Sequence, residues 1–150
     1  MADFTLTSPS FSNNGIIPVK QSCDGTDASP ALSWQGAPEG TLSLVLIVDD
    51  EDAAGFVHWI AYDIPGGPFG TLSEGIRSND QLLQGRNDFG KTGYGGPCPP
   101  RGTPHHYRFT MYALSARPNL SGVPSVAEVR DAMADHILGE AKLTATYERT

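Results

Sequence analysis

Apolar positions along the chain recur at every second residue or in short continuous runs, the marks of β-strands. Between residues 4 and 20, Phe4, Leu6, Phe11, Ile16, Ile17 and Val19 predict short strand-like pieces broken at Asn13-Asn14-Gly15. A loop over residues 23–30 precedes a short strand at Ala31–Trp34, and Ala37-Pro38-Glu39-Gly40 turns the chain into a strand at Leu42–Val48. That run is almost continuously apolar, as in a strand covered on both faces. It ends in Asp49-Asp50-Glu51-Asp52. Over Phe56–Asp63 the pattern alternates, with Phe56, His58, Ile60 and Tyr62 on one face and Val57, Trp59, Ala61 and Asp63 on the other.

Residues 64–84, rich in Gly, Pro, Ser and Asn, read as loop. Gly93–Tyr107 carries glycines at 93, 95, 96 and 102 and prolines at 97, 99, 100 and 104, a mixture that excludes a helix and a central strand. It delivers His105, His106 and Tyr107 to a strand ending at Leu114, where His105, Tyr107, Phe109, Met111 and Ala113 share one face. One helix is expected. Ser125 and Glu128 form a capping box, Val126, Val129, Met133 and Ile137 make one apolar stripe, and Gly139 suits the stop. Ala141–Tyr147 alternates again as a closing strand. The prediction is a mainly β chain, an antiparallel β-sandwich with one helix in its C-terminal region.

Composition agrees with many turns and a single domain over residues 1–150: 17 Gly, 12 Pro and only 18% charged residues. A net charge of −7 argues against nucleic acid and anionic membranes as partners. Residues 86–108 run against that trend, with Arg86, Lys91, Arg101 and Arg108 facing Asp88 alone, which favours an anionic ligand near the loop. The start shows neither a basic segment nor an apolar one of signal-peptide type, and no apolar run reaches transmembrane length. Cys23 and Cys98, the two cysteines, are therefore expected to be reduced thiols in a cytoplasmic protein.

Some motifs mislead. Gly85-Arg-Asn-Asp-Phe-Gly-Lys91-Thr92 fits the phosphate-binding pattern G-x-x-x-x-G-K-[ST] throughout. The mechanism also needs a helix leaving the loop, and the Gly- and Pro-rich sequence that follows cannot supply one. An EF-hand threaded from Asp50 would place Ala54 and Ala61 where oxygen ligands are required. No zinc-type spacing and no G-x-S-x-G elbow occurs, so neither a metal nor a cofactor is expected. Of the four histidines, His136 lies on the helix as an ordinary surface or packing residue, whereas His58 and His105 lie near strand starts on faces shared with aromatic residues. Strand alternation points Asp50 and Asp52 together, away from Asp49 and Glu51.

Taken together, Asp50-Glu-Asp52-Ala, Val57-His58-Trp59, Gly96-Pro-Cys-Pro-Pro-Arg-Gly102 and His105-His-Tyr107 resemble the phosphatidylethanolamine-binding protein family, more narrowly its bacterial Raf kinase inhibitor-like branch. Cys23-Asp-Gly, Leu32-Ser-Trp34 and Asn87-Asp-Phe-Gly extend the resemblance over about residues 16–147. It implies a β-sandwich with a small end pocket for phosphate-type anions or a phospholipid head group. Asp50, Asp52, His58, His105 and Tyr107 match the family's pocket residues, and Gly96, Pro97, Cys98, Pro99 and Pro100 match its wall. The resemblance also implies kinase or protease partners and allows a homodimer. Glu51 and Ala54 stand where the family favours proline, and His106 replaces an arginine. The chain ends at a strand without the C-terminal helix of animal members, which weakens the carry-over of Raf-type inhibition.

On this reading the protein is a non-catalytic binding or regulatory module, without stable membrane insertion. His58 or His105, held by Asp50, would donate to a phosphate oxygen, helped by the Tyr107 hydroxyl and a free amide of the glycine-rich loop. The alternative is a hydrolase or lyase using Asp50, His58 and His105 for acid–base chemistry, with a free Cys98 as its one well-placed nucleophile. A third reading is protein–protein inhibition through the rim of the site.

Overall fold

A computed structural model describes residues 3–150. The chain forms β1 (Thr5–Thr7), β2 (Gly15–Ile16), β3 (Leu32–Gln35), β4 (Ser43–Asp50), β5 (Phe56–Pro65), β6 (Phe69–Leu72), β7 (Leu83–Gln84), β8 (His105–Leu114), α1 (Val126–Met133) and β9 (Ile137–Tyr147). Two sheets result, β1-β3-β6 and β2-β9-β8-β4-β5-β7. All pairings are antiparallel except the edge pair β2–β9, which is parallel.

The apolar run of β4 sits at the centre of the larger sheet, buried on both faces as its sequence implies. Leu44, Leu46 and Val48 join Trp59, Phe109 and Met111 against Leu6, Leu32, Trp34 and Leu72 of the smaller sheet. On the opposite face Val45 and Ile47 join Ile60 and Tyr62 against Val129 and Met133 of α1. The architecture is thus a β-sandwich whose larger sheet carries one helix on its outer face.

Four expectations from the sequence need correction. The helix keeps its capping box, with the Glu128 amide donating to Ser125 and the Ser125 amide to Glu128, but it ends at Met133. Ile137 and Gly139 belong to β9, opposite Leu114 and Ala113, because the ladder to β8 captures their backbone. Gly139 answers to crowding: a Cβ there would lie 3.1 Å from Pro38. Residues 64–84 are not all loop but contain β6 and β7. In β6, a Cβ on Gly70 would lie 2.5 Å from the Trp34 ring, so the position that breaks the strand pattern is the one that lets Trp34 pack.

The alternation of β5 breaks at His58. Val57 pairs with Asp49 and Trp59 with Val48, leaving His58 as the extra residue of a β-bulge. Val57 consequently packs on the helix side with Ile60 and Tyr62, not with Trp59. The last correction concerns the cysteines. Cys23 and Cys98 are not free thiols but form a disulfide across 75 residues. The Cys23 amide donates to the Pro97 carbonyl at 3.1 Å and the Gly96 amide to Asp27 Oδ1 at 2.9 Å, so the two loops dock side by side. Sequence spacing carries no trace of that docking.

The Gly85–Thr92 segment, as its context implied, opens no helix. Buried Asn87 closes it into a turn, accepting from the amides of Phe89 and Lys91 and donating to the Gly93 carbonyl. A second irregularity lies between Leu44 and Leu46, near Asp63, which has φ of 54° and an oxygen, Oδ1, buried without a partner. Burial pushes the Asp63 carboxyl above its ordinary range, opposed by Arg117.

Two outcomes are expected. Phe109 is 1% exposed and its ring lies 5.5 Å from Phe11, so Phe109→Ala should lower the unfolding free energy by about 3–5 kcal/mol in urea titration. Asp63 has its pKa raised on folding, so its contribution to stability is complete below the unfolded pKa and lost as pH rises through the folded value. Asp63→Asn, which also tolerates positive φ, should therefore melt higher than the wild type at pH 7 and lose that advantage at pH 3. An advantage equal at both pH values would place the effect elsewhere.

Candidate ligand-binding site

The antiparallel pairing of β4 with β8 sets Asp50 opposite Tyr107, and β5 sets Phe56 opposite Asp50. The three strands end around a cavity of about 230 Å³. Its lining is Asp50, Ala53, Phe56, His58, Phe89, Cys98, Pro99, Pro100, His105 and Tyr107. A larger depression of about 390 Å³ lies over the smaller sheet, but its lining includes no titratable side chain. The chemistry is concentrated in the smaller one.

Asp50 is 3% exposed, and its charge is satisfied locally. Its Oδ2 accepts from His105 Nδ1 at 2.6 Å and its Oδ1 from the Asp52 amide at 2.9 Å. The second bond comes from the short 3₁₀ turn Glu51–Ala53 that caps the strand. Ala54 closes this turn in the left-handed conformation, φ 54°. With Nδ1 held by Asp50, His105 is oriented, and its Nε2 makes no protein hydrogen bond among the described residues.

His58, raised by the bulge, is held through the same ring nitrogen as His105. Its Nδ1 lies 2.7 Å from the Gly95 carbonyl, which can only accept, so Nδ1 carries the proton. Burial holds His58 below its ordinary value, against the raising influence of Gly95, Asp50 and Gly96. The neutral ring therefore has its lone pair on Nε2. Phe56, Phe89 and Tyr107 surround His58 edge-on, each with a ring centroid 5.2 Å away.

Tyr107 is 1% exposed, and its hydroxyl has no well-formed hydrogen bond to the protein. Burial first, then the nearby Asp50 charge, pushes its pKa upward, so the group stays a hydroxyl. An orphan hydroxyl beside a histidine–carboxylate pair is a donor available to a ligand.

Seven of the ten residues marked in the sequence meet here: Asp50, His58, Cys98, Pro99, Pro100, His105 and Tyr107. Asp52, Gly96 and Pro97 do not line the cavity. The 3₁₀ turn interrupts the strand alternation that would have aligned Asp52 with Asp50, and Asp52 instead accepts from the His106 amide and Nδ1 at 2.7 and 2.8 Å. Those bonds hold its carboxyl below the ordinary range. The Gly96 amide is bound to Asp27 and the Gly95 amide to the His58 carbonyl, so neither is the free loop donor that was expected. The local excess of cations is also dispersed. Arg108 is bidentate to Asp49 at 2.8 and 2.9 Å on the outer face, and Arg101 donates to the Thr150 carbonyl.

Ala53, Phe56 and Phe89 went unassigned by sequence. Phe56 shared a predicted face with His58 and was there to be found. Phe89 had no such signal, because the Asn87 turn carries it in from a distant loop. No group of three or more His, Cys, Asp or Glu among the described residues is arranged to hold a metal ion.

Comparison with known proteins shows the family of the chain. Residues 7–148 match the family model described as phosphatidylethanolamine-binding protein. A UPF0098 protein of Pyrococcus horikoshii is 45% identical over 148 residues, covering 93% of this chain and 74% of the relative. The crystal structure of Escherichia coli YbcL, described as a new member of the mammalian family, superposes with a TM-score of 0.88 at 32% identity, covering 99% of this chain and 100% of that one. A Mycobacterium tuberculosis protein named as a lipoprotein, LppC, is 40% identical over 151 residues, covering 96% of this chain and 72% of the relative. Among the described residues no helix is long and apolar enough to cross a membrane, and the expectation of a cytoplasmic protein loses the support it drew from reduced cysteines. The chain belongs to the phosphatidylethanolamine-binding protein family.

Proposed function

We propose that the cavity is a binding site for the phosphoryl group of a small anion, free phosphate or a phospholipid head group, and that it carries out no reaction. Family membership supports a binding protein. The observation that carries the finer reading is the buried Tyr107 hydroxyl, which makes no well-formed hydrogen bond although Asp50 of the Asp50–His105 pair is close to it. With both nitrogens protonated, His105 donates to Asp50 through Nδ1 and to a ligand oxygen through Nε2. Tyr107 donates a second bond. His58, neutral with its lone pair on Nε2, accepts from a protonated phosphate oxygen. Phe56, Phe89, Pro99 and Pro100 exclude water from one side and strengthen each of these bonds.

The alternative, a hydrolase or lyase using Asp50, His58 and His105 for acid–base chemistry, counted Cys98 as its one well-placed nucleophile, and the disulfide occupies that sulfur. What remains is a set of hydrogen-bond donors and one acceptor around a small void, which suits recognition.

Tyr107→Phe should weaken phosphate binding by ~1.5–3 kcal/mol, roughly tenfold to a hundredfold in Kd, because the hydroxyl bonds to a charged group. Its melting temperature should not fall, since the hydroxyl it removes is unpaired. Calorimetry showing unchanged affinity would sink the assignment. The pH dependence has a definite sign. Binding needs a proton between His58 Nε2 and the phosphate oxygen, and burial disfavours placing it on His58 in the free protein. For a phosphomonoester with second pKa about 6, affinity for phosphoethanolamine should fall as pH rises above that value, by at most about tenfold per pH unit. A constant Kd between pH 5 and 9 contradicts the shared proton.

A further inference from the structure

Cys98 lines the cavity, whereas its partner Cys23 is not among the lining residues. Both cysteines are exposed. Exposed disulfides are more open to attack by an external thiolate than buried ones and include the labile and regulatory cases. The wall that Cys98 belongs to has few hydrogen bonds of its own. Pro97, Pro99 and Pro100 have no amide proton, so the segment Gly96–Pro100 has donors only at Gly96 and Cys98. Two hydrogen bonds, from the Gly96 amide to Asp27 Oδ1 and from the Cys23 amide to the Pro97 carbonyl, join it to the same loop that the disulfide reaches. The flanking anchors lie outside it, at Gly95 to His58 and Gly102 to Arg149.

We propose that the Cys23–Cys98 bridge is a site of thiol–disulfide exchange that holds one wall of the cavity and releases it when a dithiol reductant opens the bridge. A reductant thiolate attacks one sulfur and the other leaves as a thiolate. The reductant's second thiolate then displaces the protein from the mixed disulfide. Two electrons pass to the protein, two protons end on the Cys23 and Cys98 sulfurs, and the reductant becomes a disulfide. With the bridge open, the covalent tie between Cys98 and the neighbouring loop is gone, two hydrogen bonds join the segment to that loop, and the cavity wall beside Pro99 and Pro100 loosens. The effect on ligand rests on the phosphoryl-binding reading above; the loosening of the wall does not.

The test compares oxidised protein, protein reduced by a thioredoxin-class dithiol, and the Cys23→Ser, Cys98→Ser double variant. Near-ultraviolet circular dichroism, amide hydrogen exchange and calorimetry with inorganic phosphate are the readouts. Reduction should go to completion without denaturant, with tertiary structure retained. Exchange at the bonded amides of Gly96 and Cys23 should quicken about tenfold or more while β4 and β8 amides hold. Phosphate Kd should rise about fivefold or more, and the double variant should match the reduced protein and ignore the reductant. A bridge that opens only in denaturant, a reduced chain that unfolds, or unchanged exchange in the wall each overturns the proposal. Faster exchange with unaltered phosphate affinity overturns its link to the cavity. If neither redox state binds phosphate, the proposed function fails while the exchange data still decide the release of the wall.

Discussion

The register between β4 and β8 is the constraint from which the site follows. Their ladder runs without a slip from Ser43 opposite Leu114 to Asp50 opposite Tyr107. Leu44, Leu46 and Val48 therefore share the inner face with Met111 and Phe109, and the same row continues into Asp50 and Tyr107. The cavity is the place where the sandwich core runs out and its inner rows turn polar. The outer rows select the same register, since Asp49 meets Arg108 there in a bidentate pair at the surface. A slip by one residue would bring Asp49 inward, send Asp50 to solvent and break both arrangements.

The neighbouring strand supplies what a regular ladder cannot. Alternation alone would space side chains on β5 evenly. The bulge at His58 instead lifts the imidazole toward Tyr107 and leaves Trp59 packed in the core, 5.5 Å from the Tyr94 ring. The Gly95 carbonyl then fixes the His58 proton on Nδ1. Both imidazoles are thus oriented through Nδ1, His105 by the Asp50 carboxylate and His58 by the Gly95 carbonyl.

What the sequence revealed divides along the range of the interaction. The unbroken apolar run of β4, the capping box of α1 and the inner face of β8 are local patterns, and each was read correctly. That Asp50, His58 and Tyr107 share a site was suggested by their places near strand ends and sharpened by the resemblance, because they come from three separate strands. The failures share a cause. Asp52 was misplaced by one 3₁₀ turn, Val57 by one bulge, Ile137 and Gly139 by capture into the β8 ladder, and Cys98 by a docking of loops 75 residues apart. In each case a tertiary contact overrode a periodicity that is valid only while the backbone stays regular.

The electrostatics of the cavity bear on what it can hold. No arginine or lysine is among the lining residues, and of the expected cations Arg108 is spent on Asp49 and Arg101 reaches the chain end. Asp50 brings a negative charge, and His58 is kept neutral by burial. A site of this kind cannot attract anions by net field in a chain of charge −7. On the proposed reading its selectivity comes from the direction of a few hydrogen bonds in a small dry space, where each is stronger than in water. A fully ionised phosphate would face the Asp50 carboxylate with nothing to offset the repulsion except His105. A phosphoryl group that retains a proton gives His58 Nε2 something to accept and lowers that repulsion at once, so the cavity's own polarity favours the less charged form of its ligand.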